Sequence, residues 1–180
     1  MLPGFALLFV GSVLFLNGLW ILGKIGDNEI SVINILIGTH TLIVALYWAF
    51  WPGADTDSIK NGAFLLLFTF TYYWVAWNRW NGADGRGLGW FSFFVAVTCA
   101  PIAIETLTGA RDVWGVWLGL SWVAWGVLWF MFFLLLVMKM PIGKIAGSLS
   151  VLEGILTGWL PGYLLLTKVM GPAAKAASGG

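Results

Sequence analysis

Six long apolar stretches, separated by short polar segments, constrain this chain more than any other feature. A helix needs about 20 apolar residues to cross roughly 30 Å of hydrocarbon. The stretches run over residues 3–22, 30–51, 62–77, 88–108, 113–138 and 145–168. The segments between them are too short to hold a soluble domain, so neighbouring helices must be antiparallel. We predict an all-α integral membrane protein, a compact bundle of six transmembrane helices arranged as an inverted three-plus-three repeat.

The charge content excludes several classes of protein. Charged residues make up 9% of the 180 residues, whereas soluble domains carry about a quarter. The net charge of +1 leaves no basic patch for a nucleic acid. A single cysteine, Cys99, and a single histidine, His40, argue against a disulfide framework and a metal site. No catalytic or nucleotide-binding motif is visible, so we expect neither an enzyme nor a cofactor.

The distribution of Lys and Arg predicts the orientation of the bundle. Loops one, three and five carry Lys24, Arg79, Arg86, Lys139 and Lys144. The opposite side carries Lys60, Arg111 and Lys168, and Lys175 in the tail. The positive-inside rule then places both termini outside. Residues 1–170 are expected to form one transmembrane domain, and residues 171–180 a flexible tail that is partly an expression remnant.

Tryptophan is the second anomaly, with 13 residues in the chain. Seven of them lie near span ends and fit the usual interfacial belt: Trp20, Trp48, Trp51, Trp77, Trp80, Trp90 and Trp114. Trp122, Trp125 and Trp129 lie instead at the centre of the fifth span. With Trp114 and Leu118 they fall within an arc of about 80°, at 100° per residue. This stripe either packs against neighbouring helices or lines a narrow pathway, with indole N–H groups as sparse donors.

Three other spans offer rows of residues that face the same way. The rows are Val10, Leu14 and Asn17 in span one; Phe70, Trp74 and Trp77 in span three; and Glu153, Thr157, Leu160, Pro161 and Leu164 in span six. Ordinary helix packing explains such rows as well as a pathway does.

Three ionisable residues interrupt the apolar stretches. A charge at bilayer depth costs at least about 2.5–3.5 kcal/mol, so such residues mark candidate sites. Glu153 could accept hydrogen bonds from a solute or anchor Thr157. Glu105 lies close to a span end and could instead pair with Arg111. His40 is interpreted as a structural group, and Pro161 is expected to kink the sixth helix.

These residues resemble the AmiS/UreI family of urea channels and short-chain amide transporters. The resemblance covers nearly the whole chain and is densest in five segments: LLFVGSVLFLNG at residues 7–18, FTFTYYW at 68–74, WVAWGVLW at 122–129, PIGK at 141–144 and EGILTGWLP at 153–161.

The resemblance implies a twisted six-helix bundle with both termini outside, assembled as a homohexamer with a pore in each protomer and lipid in the central hole. It implies a pore lined by Val10, Leu14, Phe70, Trp122, Trp125, Leu128, Trp129 and Glu153, to which Trp74 and Thr157 are added here. Trp74 replaces a pore tyrosine and Leu118 a pore tryptophan of the urea channels. Glu105 and Trp74 resemble the amide-transporter branch. The outer loops are short and contain no histidine, so the resemblance does not imply acid gating for this chain.

The function that the resemblance implies is passive conduction of urea, acetamide and formamide across a bacterial inner membrane. A cytoplasmic amidase or urease would then consume the solute. The alternative is a proton-coupled secondary transporter that uses Glu153 or Glu105 as proton carrier. A structural subunit without transport activity is a third hypothesis.

Overall fold

The computed structural model describes residues 1–170, and helices form at all six apolar stretches. The first five are α1 (Leu2–Ile21), α2 (Asp27–Phe50), α3 (Thr56–Asn81), α4 (Arg86–Thr108) and α5 (Val113–Leu136). The sixth span consists of α6 (Gly143–Glu153), a π-helical segment (Gly154–Trp159) and α7 (Leu160–Leu166). Residues 1–170 contain no β-strand, which confirms the all-α prediction. The predicted tail at residues 171–180 lies outside the described residues.

Five of these spans are long and apolar enough to cross a membrane, within the part of the chain that the structure describes. The exception is α3, which has 26 residues but several polar ones. Thr69, Tyr72 and Asn78 of α3 are buried in the bundle, so they do not meet lipid. α3 is therefore a more polar, inward-facing member of a multi-pass membrane protein.

The helices pack mainly as three pairs: α1 against the sixth span, α2 against α3, and α4 against α5. Large apolar side chains such as Phe94, Ile43 and Ile104 are exposed on the outer surface, as a lipid-facing surface requires. In the first half of the chain, α2 pairs with α3, and in the second half α5 pairs with α4. It does not itself display the inverted repeat, which stays a prediction.

The contact between α1 and the sixth span depends on glycine. A Cβ atom at Gly11 would lie 2.2 Å from the backbone nitrogen of Trp159, and one at Gly158 would lie 2.3 Å from the Cα of Gly11. No side chain fits there, so the two backbones touch directly. Gly4 meets Gly162 and Gly18 meets Gly147 in the same way along this antiparallel pair.

The sixth span accommodates Pro161 through its π-helical segment. The N–H of Leu160 donates to the carbonyl of Ile155, five residues earlier. Proline has no N–H and its ring clashes with the carbonyl four residues before it, which disfavours a regular helix. The irregularity expected at Pro161 therefore lies just before it, and the π-helical segment holds both Thr157 and Gly158.

Candidate functional site

Two cavities lie inside the bundle, one towards each end. The proximal cavity, near the N-terminus, has a volume of about 220 Å³, and its wall includes Pro3, Val10, Asn61 and Trp114. The distal cavity, at the opposite end, has a volume of about 90 Å³, and its wall includes Asn17, Arg79, Gly85 and Leu136. Phe68 and Trp125 belong to the walls of both cavities. The two cavities therefore meet at this pair of rings.

The junction between the cavities is an aromatic constriction, which we define as Phe68, Trp122, Trp125 and Trp129. The Phe68 ring lies edge-on to Trp125, with centroids 4.9 Å apart, and to Trp129, with centroids 4.7 Å apart. Trp122 meets Trp125 at 5.0 Å and Phe68 at 5.9 Å. All four side chains are buried. Edge-to-face packing fixes each ring against its neighbours, so the two cavities are separated by apolar rings.

Two of the three indole N–H groups of the constriction donate to threonines. Trp125 Nε1 donates to Thr157 Oγ1 at 2.7 Å, and Trp129 Nε1 donates to Thr71 Oγ1 at 3.2 Å. Each threonine hydroxyl in turn donates to a carbonyl one helical turn back, that of Glu153 or Leu67. These two N–H groups are thus not the free donors expected from the sequence. They hold the rings in place and leave aromatic surface facing the cavities.

The side chains predicted for α3 do not face the cavities. Phe70 is 48% exposed on the outer side of α3, where it shares a shallow surface groove with Trp74 and Trp77. The prediction took the Phe70 row as the inward face, whereas the buried face of α3 runs through Phe68 and Tyr72. Phe68 therefore occupies the place predicted for Phe70. The sequence signal that was overlooked is the set of polar residues Thr69, Tyr72 and Asn78, all of which are buried in the structure.

The predicted residues of α1 and α5 do line the interior. Val10 belongs to the proximal cavity, and Leu14 and Leu128 to the distal cavity. The α5 stripe is divided between the two: its residues Trp114, Leu118 and Trp122 line the proximal cavity, and Trp129 lines the distal cavity. The 80° arc thus follows the full length of the interior.

Glu153 lies deep inside the bundle with an unpaired carboxyl group. Its side chain is 3% exposed, and neither carboxyl oxygen has a hydrogen-bond partner among the described residues. Glu153 stands outside the walls of both cavities, and so does Thr157, one turn further along. Thr157 instead accepts the hydrogen bond of Trp125. An unpaired buried carboxyl is costly in a membrane and is a feature that packing alone does not explain.

Asn17 pairs with a residue that the sequence did not single out, Asn34. The two side-chain amides exchange hydrogen bonds of 3.1 and 2.6 Å between α1 and α2, and both residues are buried. Reciprocal amide bonds satisfy polar groups that lipid could not. Asn17 also lines the distal cavity, so this pair fixes part of its wall.

The other two polar residues predicted in the membrane lie away from the constriction. His40 packs between Phe5 and Phe9, with ring centroids 4.5 and 4.8 Å away. Neither ring nitrogen has a hydrogen-bond partner among the described residues, so its structural role stays a prediction. Glu105 forms an ion pair with Lys60 across α3 and α4. The sequence offered Arg111 as the partner of Glu105, whereas the observed partner is Lys60, which the tertiary structure brings near.

The mouth of the distal cavity carries an arginine held by its neighbours. Arg79 lies 3.6 Å from Asp27 and has its guanidinium 5.1 Å from the centre of the Trp20 ring. Trp20 Nε1 donates to Asp27 at 2.6 Å. In the following loop, the backbone N–H of Arg86 donates to Asp84 and lowers the pKa of that carboxyl below its usual range. Arg79 and Asp27 therefore form a charge pair at this mouth.

Comparison with known proteins gives consistent results. The chain matches the model of the AmiS/UreI family of transporters over residues 2–169. It is 36% identical to a Mycolicibacterium smegmatis protein named for transport of amidate substrates, over 91% of this chain and 76% of that protein. It is 35% identical to the acid-activated urea channel of Helicobacter pylori, over 90% of this chain and 96% of that protein. The crystal structure of the urea channel from Helicobacter pylori superposes with a TM-score of 0.81, covering 95% of this chain and all of that one (100%).

Proposed function

This chain belongs to the AmiS/UreI family of transporters, and from that premise we propose that it is a channel through which small neutral amides pass passively. Urea, acetamide and formamide are the proposed solutes. The names of the relatives, a urea channel and a transporter of amidate substrates, support this solute class. A family of transporters and channels is not one of enzymes, and the chain is accordingly a membrane transport protein.

The observation that carries the proposal is the aromatic constriction between two internal cavities. Its ring faces are apolar, and the N–H groups of Trp125 and Trp129 are already bonded to threonines. A planar amide can slide between such faces while it makes few hydrogen bonds, so it binds weakly enough to leave. An ion would lose its hydration shell there with no charged ring to replace it.

Leu14 and Leu128 would narrow the pathway on the distal side of the constriction, and Val10 on the proximal side. For Glu153 we propose the role of an acceptor for amide N–H groups, supported by its burial and its unpaired carboxyl. Reaching the passage would require the carboxyl to turn towards Trp125, next to the Thr157 that holds that ring. The same unpaired carboxyl supports the second candidate function, a proton-coupled transporter.

The cellular setting is also part of the proposal. We place the chain in a bacterial inner membrane with both termini outside. The charge distribution supports this orientation, because five Lys and Arg residues lie on the side of loops one, three and five. The solved urea channel supports an oligomer, and we propose a homohexamer with lipid in its centre and a pore in each protomer. A cytoplasmic amidase or urease would maintain the inward gradient.

Uptake into proteoliposomes tests the function. Liposomes that contain the protein should take up urea and acetamide faster than empty liposomes, and uptake should stop when the inside and outside concentrations are equal. An uncoupler should leave the rate unchanged. If the solute accumulates above its outside concentration and an uncoupler abolishes this accumulation, the coupled transporter is favoured. Equal uptake rates in liposomes with and without the protein would overturn both functions.

A further inference from the structure

The two ends of the bundle differ in charge. We define the distal end as loops one, three and five with the helix ends that adjoin them. Within residues 1–170, the distal end carries five Lys and Arg residues and three acidic residues. The opposite end carries three Lys and Arg residues and four acidic residues. An excess of positive charge therefore lies at the distal end.

Ion pairs neutralise only two of the five cations at the distal end. Arg79 pairs with Asp27, and Arg86 pairs with Asp84. The other three are exposed and form no ion pair among the described residues: Lys24, Lys139 and Lys144. Unpaired cations at one end of a membrane-spanning bundle form a candidate surface for an anionic ligand.

Two of these cations stand beside exposed apolar side chains where α5 turns into α6. Lys139 belongs to the connecting turn, and Lys144 lies in the first turn of α6. Met138, Met140 and Ile145 are 59%, 42% and 63% exposed beside them. We call these five residues the basic turn. Its positive and apolar side chains together suit a boundary between water and hydrocarbon.

A neighbouring tryptophan places this boundary at the same level. Trp90 of α4 is 58% exposed, and its ring packs against Phe133 with centroids 5.1 Å apart. Phe133 lies one helical turn before the end of α5. Exposed tryptophans at span ends mark the membrane–water interface. The chain therefore leaves the hydrocarbon just after Phe133, and the basic turn lies at the level of the lipid headgroups.

We propose that the basic turn binds an anionic phospholipid. The headgroup phosphate accepts hydrogen bonds from the ammonium groups of Lys139 and Lys144, and Met140 contacts the acyl chains beneath it. Charge complementarity identifies the ligand class, because lysines next to a membrane attract anionic lipids. The exposed methionines favour a lipid over an acidic soluble protein, since they lie where the acyl chains begin. The site lies on the outside of the bundle and does not depend on the solute that the protein conducts.

The preference for an anionic headgroup tests the two lysines. Native mass spectrometry gives the dissociation constants of the first bound phosphatidylglycerol and of the first bound phosphatidylcholine with the same acyl chains. The unaltered protein should prefer phosphatidylglycerol. Lys139→Gln combined with Lys144→Gln should lower this preference about five- to thirtyfold, as expected for one or two lysines beside an anionic lipid. High salt should lower the preference of the unaltered protein as well.

Arg111→Gln combined with Lys168→Gln is the matched control. It removes the same number of positive charges from the opposite end, and Lys168 has a positive φ, as Lys139 does. This control should keep the preference. Equal preferences in both variants and the unaltered protein, each shown to be folded by its elution from a sizing column, would overturn the lipid site. An equal loss in both variants would also overturn it, because net charge alone would then explain the effect.

Met140→Ser tests the apolar contact separately. It should weaken the binding of both phospholipids by a similar factor, about fivefold, and leave the preference for phosphatidylglycerol unchanged. Unchanged dissociation constants for both phospholipids would overturn the contact between Met140 and the acyl chains.

Discussion

The two sides of the bundle interior are built from residues of opposite size, glycines on one side and aromatic residues on the other. Where α1 meets the sixth span, glycines bring backbones into contact, and a Cβ at Gly11 would lie 2.2 Å from the Trp159 nitrogen. Where α3 faces α5, the largest side chains meet, with Phe68 among Trp122, Trp125 and Trp129. The first contact leaves no space, whereas the second keeps a cavity on each side of its rings.

This difference shows how a bundle without a hydrophobic driving force between helices can hold a pathway open. Close backbone packing supplies dispersion contacts and fixes two helices as one rigid unit. Aromatic rings then act as stiff spacers on the other side, held by edge-to-face contacts. Thr157 joins the two regions, because it lies one residue from Gly158 and accepts the hydrogen bond of Trp125.

The largest effect is expected on the glycine side. Gly11→Ala should cost about 3 kcal/mol of stability, at the upper end for overpacking, because the added methyl group meets backbone atoms that cannot move aside alone. Thermal unfolding in detergent, followed by circular dichroism, measures the loss. Gly143→Ala is the control, since its Cβ would find its nearest neighbour at 3.9 Å. Equal stability of the two variants would show that the backbones of α1 and the sixth span are not in close contact.

On the aromatic side the expected effect is on selectivity. Trp125→Ala removes the ring shared by both cavities and joins them, so larger amides should pass. The preference for acetamide over butyramide should fall on the order of tenfold, as for other losses of steric discrimination. Trp90→Ala, whose ring is exposed on the outer surface, should keep the preference. Unchanged flux and selectivity in folded Trp125→Ala protein would contradict the constriction.

A smaller loss of stability than that of Gly11→Ala is expected at the residue that joins the two regions. Thr157→Val keeps the shape of the side chain but leaves the Trp125 N–H without an acceptor, at a cost of about 1–3 kcal/mol. Thr157→Ser should restore most of the stability. Thr98→Val is the control, because that exposed hydroxyl bonds only to a carbonyl of its own helix, Phe94. Equal unfolding temperatures for Thr157→Val and Thr98→Val would mean that the link to Trp125 contributes nothing.

Much of the site was predictable where one helix determines the geometry. The α5 stripe follows from 100° per residue, and its members line the interior as a row. The inward face of α3 was not predictable in this way, because both Phe68 and Phe70 belong to plausible aromatic rows. Only the packing of α2 and α4 against α3 selects the face that holds Phe68, Tyr72 and Asn78.

The partners of polar groups were similarly beyond the sequence. Asn34 for Asn17, Lys60 for Glu105, and the threonines for Trp125 and Trp129 all come from other helices. A hydrogen bond depends on a few tenths of an ångström and on angle. Sequence spacing fixes neither across two helices.

The sequence by itself determined that this chain is a bundle of membrane-spanning helices, because span length and the cost of charge in lipid leave no other fold for 9% charged residues. It also determined that tryptophans stand at mid-membrane depth on one face of α5. The tertiary structure alone decided which face of α3 meets them, which indole N–H groups are bound, and which buried polar groups remain unpaired among the described residues. The physical reason is that depth and helical angle are local properties of a chain, whereas cavities and hydrogen bonds exist only between helices that packing has brought together.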